Sequence, residues 1–599
     1  MIKNNRNLIL VLAFGLSIVG VGISFMRSPD APSLEPLPGK SARSPSAESR
    51  FVTSDACREC HQRHYTTWHD SYHRTMTQPA TPETVLSTFD GVRLESRGQS
   101  FQLSRKGDEF FATRVTGNRT SAASEESRPI VMTTGSHSMQ TYWVQAGREL
   151  RQLPWFFNIE EQLWIPSQDS FLTPPSDTPI ASARWNDTCI KCHSTGGVPG
   201  YIPSAGFNTR VAELGISCEA CHGPGERHVN FHRATKSTDP VTNAAAAMVS
   251  PEKLSHVAAS QICGQCHSSS QVRDRRGWLR NGSPYRPGED HKVSFRHAEV
   301  ESTDPEDAPY LQDSFWSDGT CRVGGDELLG LQDSACFQHG EMSCLSCHSM
   351  HDSDPSDQLK VLADSNEACL QCHDTYRDQI EEHTHHSIGS SGSQCFNCHM
   401  PHTSFALLKA IRSHRVDSPQ TTDSTQGSRP NACNLCHLDK TLHWTATHLS
   451  DWYDAPEITM SETDRNTSAA LLWLLRGNAI QRAIVAWGMS WQPAREISGS
   501  EWQAPFLAET LADPYSVVRF VAWRSLKHLP GFKDFQYDFL TPEGERSRNR
   551  AVDHWIKQAR TIDDDRAIRV LLTPAGELDS QATQNLQAER DDRPVNILE

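Results

Sequence analysis

Hydrophobic and polar positions fall into distinct regimes along the chain. Leu8 to Met26 is a run of 19 residues without a charge, preceded by Lys3 and Arg6. At about 1.5 Å of rise per residue, a helix of that length matches a bilayer core. The run predicts an export segment over residues 1–26, either a cleaved signal or an uncleaved anchor. The lack of an A-x-A-like site favours the anchor. Residues 27–50, with five Pro and six Ser after the apolar run, read as a tether. Farther on, Val92, Leu94, Phe101, Leu103, Phe110 and Ala112 alternate with polar neighbours, and Gly91, Gly98 and Gly107 fall at turn positions. This predicts a small antiparallel sheet over about 88–165. Ala469 to Met489 and Ala504 to Leu529 carry apolar residues at helical spacing, broken at Asp513-Pro514, which predicts a helical region over 465–570. Residues 571–599 turn polar and acidic and are expected to fray.

Between these regimes the apolar pattern is thin, since only 37% of the 599 residues are hydrophobic. The cysteines supply what is missing. Of 18, sixteen fall in eight copies of Cys-x-x-Cys-His: Cys57-Cys60-His61, Cys189-Cys192-His193, Cys218-Cys221-His222, Cys263-Cys266-His267, Cys344-Cys347-His348, Cys369-Cys372-His373, Cys395-Cys398-His399 and Cys433-Cys436-His437, here motifs 1 to 8. Two thiols three residues apart can each form a thioether with one vinyl group of a single haem, and the adjoining His then reaches the iron. A Cys-x-x-Cys pair alone also suits zinc or a redox dithiol, but neither needs a His at every copy. The sequence therefore predicts eight covalently attached haem c groups. Porphyrins are large and mostly apolar, so they substitute for the core that the composition lacks.

Charge narrows the partners. A formal charge of −16 without a basic stripe excludes a nucleic-acid binder. The expected fold is mainly α with long loops: a multihaem cytochrome c domain over 51–460 carrying the small β insertion, then a C-terminal α-helical domain.

The second axial ligand decides whether a haem iron carries electrons or reacts. With 28 His in the chain, supply is not limiting. His73, twelve residues after His61, is near enough to curl back over a haem. His137, His228, His351, His385, His386 and His414 are the other distal candidates, with His69, His339, His383 and His402 ranked below them. His528 and His554 lie outside the motif region and are not expected to ligate. Cys321 and Cys336 remain, for a disulfide, for two separate thiols or, least favoured, for a thiolate haem ligand.

The wording around the motifs resembles a known superfamily. Motif 1 is followed by Tyr65, Trp68, Ser71 and His73. Motif 2 sits in Trp185-Asn186-Asp187-Thr188-Cys189-Ile190-Lys191-Cys192-His193-Ser194, and motif 3 in Cys218-Glu219-Ala220-Cys221-His222-Gly223-Pro224-Gly225 with His228 after it. His383-Thr384-His385-His386 precedes motif 7, and Met400-Pro401 and Ser413-His414 follow it. Over about residues 51–460 this is similar to exported multihaem cytochromes c, the superfamily of the ammonia-oxidiser tetrahaem cytochrome, pentahaem nitrite reductase and octahaem hydroxylamine oxidoreductase. The resemblance implies bis-His haems in stacked and angled pairs, one of them open to substrate in some members. Two departures stand out. No motif ends in Lys, the mark of the nitrite reductases. Tyr453 stands where hydroxylamine oxidoreductase carries a cross-linked tyrosine, but beside Trp452 it also fits simple packing. Leu507 to Pro514 with Val517, Val518, Arg519, Ala522 and Leu526 resembles a HEAT-type repeat, against the alternative of an ordinary helical bundle.

The expected function is electron transfer at the outer side of the bacterial cytoplasmic membrane, anchored there or secreted to the periplasm if the signal is cleaved. Expected partners are the membrane, through the N-terminal helix, and redox proteins or a quinol-oxidising complex, with protein docking on the C-terminal helices. The alternative is a multihaem oxidoreductase with one open haem acting on a small nitrogen or sulfur compound.

Overall fold

A computed structural model describes residues 50–115, 126–235, 247–297, 313–421, 428–541, 544–557, 563–573 and 575–597. The expected anchor and nearly all of the expected tether lie outside the described residues. Among those described, no helix is long and apolar enough to cross a membrane.

The largest regular element is an eight-stranded antiparallel sheet made of β1 (Thr77–Pro79), β2 (Arg93–Ser96), β3 (Gln99–Lys106), β4 (Glu109–Arg114), β5 (Glu126–Thr134), β6 (Met139–Ala146), β7 (Glu149–Asn158) and β8 (Leu163–Pro166). Strands β2 to β8 pair in sequence order, and β1 adds to β5. Register shifts between Ile130 and Met132 and between Thr141 and Trp143 bend the strands, and the sheet curls into a nearly closed barrel. Leu94, Leu103, Phe110, Ile130, Tyr142, Leu153 and Phe157 fill its inside.

This corrects the expected fold class. The chain is about 39% helix and 17% strand, not mainly α. The motifs sit on very short helices, as in Cys218–His222 and Cys395–His399, of five residues each, so motif-rich sequence contributes little helix. Strand β6 is buried on both faces from Met139 to Val144, which hides the alternation that marks a strand. Its two faces have separate work: Tyr142 and Val144 point into the barrel, while Trp143 packs with Met132, Trp185, Ile190 and Trp278 against motif 2.

After motif 8, helices including Ala469–Arg476, Ala479–Gly488, Ala504–Thr510 and Ser516–Lys527 pack about one apolar core. Ser468 caps the first by accepting from Leu471 N–H, and Asn478 and Gln481 form a capping box on the second. The same core takes in Met139, Ile165, Phe405 and Leu435, so these helices are joined to the sheet and to the motif region by shared packing. The expected fraying of the tail is also corrected. Ser580–Ala588 is a helix, Val595 is buried, and Ile597 N–H donates to Leu172 C=O at 2.9 Å. Leu586, Val595 and Ile597 give this polar stretch enough apolar contact to dock.

Candidate haem sites and the path between them

Each motif forms a tight turn. His61 N–H donates to Cys57 C=O, His267 to Cys263, His348 to Cys344, His373 to Cys369 and His437 to Cys433, all at 2.7–2.9 Å. An i to i+4 bond of this kind brings residues i, i+3 and i+4 to one face. Both thiols and the imidazole therefore converge on the same side.

Six of these proximal imidazoles face a second one. The ring centroids are 6.4 Å apart for His61 and His228, 6.1 Å for His222 and His351, and 6.1 Å for His267 and His73. They are 6.4 Å apart for His348 and His414, 6.1 Å for His399 and His383, and 6.0 Å for His437 and His386. An imidazole nitrogen binds a transition metal at about 2.0–2.1 Å, and the ring centre lies about 1.2 Å behind it, so two rings sharing one iron stand about 6.4 Å apart. The residues fit the group on this test. His193 and His373 belong to no such pair among the described residues.

The second nitrogen of a ligating ring is usually held by an acceptor, which fixes the tautomer. His222 Nδ1 donates to Val249 C=O at 2.7 Å, His399 Nδ1 to Asp417 C=O at 2.8 Å, His386 Nδ1 to Thr384 C=O at 2.6 Å, and His73 Nδ1 to Gln358 Oε1. His267 Nδ1 meets Glu327 Oε2 at 3.0 Å. Burial would raise the Glu327 carboxyl, but the His267 hydrogen bond and charge outweigh it and hold it down to about 2. Burial pulls His193 and His437 down to about 4, and His73 to about 4 as well, leaving them in the neutral form that binds metal.

Other candidates go elsewhere. His137 stacks on Tyr72 at 3.8 Å, His385 on Trp452 at 4.1 Å, and His402 lies against Trp487 and Trp491. His69 pairs with Asp70 at 3.3 Å, and His339 is exposed. His528 Nδ1 and His554 Nε2 bond to Arg524 and Gly531 carbonyls. Tyr453 donates its hydroxyl to His383 C=O, so it braces the loop that carries His383. Cys321 and Cys336 are separate thiols. Cys321 is buried near Asp326 and Asp333, whereas Cys336 lies within electrostatic reach of Cys369. Neither Glu327 nor Gln358 carries a signal in the sequence, because each meets its histidine across a long stretch of chain.

The thiols show which motifs are neighbours. The Cys57 and Cys218 thiols are near enough to each other that the contact pushes the first up and the second down. Cys266 and Cys192, Cys263 and Cys344, and Cys369 and Cys395 do the same. Weaker charge contacts link Cys221 to Cys263 and Cys266, Cys347 to Cys369 and Cys372, and Cys398 to Cys433 and Cys436. The motifs thus form one line, 1–3–4–5–6–7–8, with motif 2 beside motif 4.

Family comparisons agree with this chemistry. The model described as cytochrome c554 and c-prime matches residues 172–223, and the one described as a doubled CXXCH motif matches residues 337–378. The chain thus resembles the multihaem cytochromes c in its motifs and in these matches. It binds haem c through its Cys-x-x-Cys-His motifs. It is 25% identical over 267 residues to the multihaem cytochrome MtrA of Shewanella baltica (strain OS185), a match covering 43% of this chain and 54% of that one. The chain therefore spans about half the length of that relative. Among solved structures, the outer cell wall cytochrome OcwA aligns with 80% of this chain and 99% of its own at 16% identity and a TM-score of 0.47. The octahaem sulfite reductase MccA of Wolinella succinogenes aligns with 86% and 84% at 14% identity and a TM-score of 0.33.

Proposed function

We propose that this cytochrome conducts electrons along eight covalently held haems, six of them bis-His, at the outer face of the bacterial cytoplasmic membrane. The observation that carries the reading is the unbroken line of neighbouring motifs. Haem iron supplies the one-electron step when bound, and the chain's own residues set its surroundings. Facing imidazoles would hold an iron from both sides, which favours electron transfer over substrate binding. Bonds from Nδ1 to fixed carbonyls hold the rings in one orientation, so little rearrangement accompanies a change of charge. The 19-residue apolar run near the N-terminus supports an anchored position, and with it exchange with a membrane quinol-oxidising complex or soluble redox proteins. The packed C-terminal helices offer a docking face for such a partner. Intact-mass measurement of the exported protein is expected to add eight haems, and cell fractionation to recover it on the periplasmic side of the inner membrane. Fewer haems, or recovery from the cytoplasm, would sink the reading.

A second reading is favoured by His193. Its Nδ1 is buried without a hydrogen-bond partner among the described residues, and it belongs to none of the facing pairs. An iron held there keeps a position for a small nitrogen or sulfur compound. Cyanide or nitrite is then expected to alter a high-spin signal; spectra untouched by either ligand leave only the carrier.

A further inference from the structure

Motif 4 is where the line and its branch meet, and its proximal ligand is held differently from the others. Among the described residues, His267 alone of the eight proximal imidazoles donates its Nδ1 hydrogen to a carboxylate, that of Glu327, at 3.0 Å. The contact is built in rather than incidental. Glu327 is the first residue of the helix Glu327–Gln332, and its other oxygen accepts from Gly325 N–H at 2.9 Å. The next residue, Leu328, donates its N–H to His267 C=O at 3.1 Å, and Ser269 N–H donates to Asp326 Oδ1 at 2.5 Å. The helix start therefore grips His267 by side chain and backbone together. His73, whose ring faces that of His267, donates to the uncharged amide of Gln358.

We propose that Glu327 is a positioning residue that lowers the reduction potential of the haem at motif 4. A carboxylate accepting from the ligating ring gives it imidazolate character and makes it a stronger donor to the metal. A nearby negative charge also favours Fe(III) over Fe(II). Imidazoles that donate to carbonyls, as His222 and His399 do, receive a dipole instead of a full charge. An electron reaching the branch point is therefore passed onward rather than stored there. The inference rests on the haem-relay reading above.

Spectroelectrochemical titration and EPR of the haem-loaded full chain test it. In the wild type, the last low-spin haem to be reduced is expected to show a smaller g-spread than the others, as a stronger axial donor requires. Glu327→Gln keeps the shape and an acceptor but removes the charge, and is expected to move that last reduction step upward with haem content unchanged. Glu327→Asp keeps the charge but shortens the reach, and is expected to give a smaller upward shift. A haem-replete Glu327→Gln protein with an unmoved titration curve overturns the inference. If that variant fails to load haem, a wild type whose last-reduced haem has the same g-spread as the rest overturns it equally. Loss of the relay reading itself is distinct, because it appears as a wrong haem count in the wild type.

Discussion

His383 and His399 face each other with their rings only 4° from parallel, although His385 is the better candidate by position in the sequence. The backbone explains the exchange. The helix Ile380–Thr384 ends with His385 at φ 55°, a left-handed cap that turns the chain at once. His383 is left on the helix facing motif 7, and His386 swings round to His437 of motif 8. One loop so serves two successive haems. Replacing His383 by Ala is expected to turn one low-spin haem high-spin in EPR and visible spectra. His385→Ala is expected to leave the spin state unchanged, since that ring rests on Trp452. The reverse result would exchange the two roles.

The same loop depends on a glycine. A Cβ on Gly392 would run into the imidazole of His386, so this position tolerates no side chain while the ring keeps its place. Gly392→Ala is expected to displace His386 and weaken axial ligation at motif 8, giving a partly high-spin haem without loss of covalent attachment. Intact mass together with spin state checks it: an unchanged low-spin spectrum would mean the loop shifts as a unit.

Attachment chemistry was legible in the sequence because it is local: two thiols and an imidazole within five residues state their purpose without the fold. The distal ligands were less so. His73, His228, His351, His386 and His414 stand out by closeness to a motif, whereas His137 lies in the motif-free stretch between motifs 1 and 2 and stacks on Tyr72. What separates the close ones from His385 is chain direction, which spacing does not encode. The sheet was read as a small insertion because β6 is buried on both faces and so lacks period-two alternation. Glu327 was invisible because its partner depends on the fold bringing a remote helix start to His267.

The C-terminal helices carry a buried ion pair. Arg482 and Asp513 meet at 2.6 and 3.2 Å, with side chains only 2% and 3% exposed. Arg482 also donates to Gly477 C=O, and Asp513 accepts from Tyr515 N–H. Removing one member leaves the other charge stranded, which costs about 3–5 kcal/mol. Asp513→Ala is therefore expected to lower the unfolding midpoint of the C-terminal region sharply in thermal denaturation. The double variant with Arg482→Met is expected to recover part of the loss. If Asp513→Ala melts like the wild type, the pair is solvated and carries no such weight.

Motifs 5 to 7 show how far the protein relies on its cofactors. Between Phe337 and Phe405 the single buried hydrophobic side chain is Leu370, while Val361, Leu362 and Ile388 are 84%, 57% and 73% exposed. The two large apolar clusters lie elsewhere, inside the barrel and among the C-terminal helices. A stretch of this length cannot offset its conformational entropy without burying apolar surface, so haem faces must provide it. A chain made without haem attachment is expected to keep the sheet and the C-terminal helices in part, but to be cut by protease first between Gly340 and Pro401. The haem-loaded protein is expected to resist cleavage there. Equal protection of that segment in both forms would mean the polypeptide holds it unaided, and would contradict the role assigned to porphyrin as core.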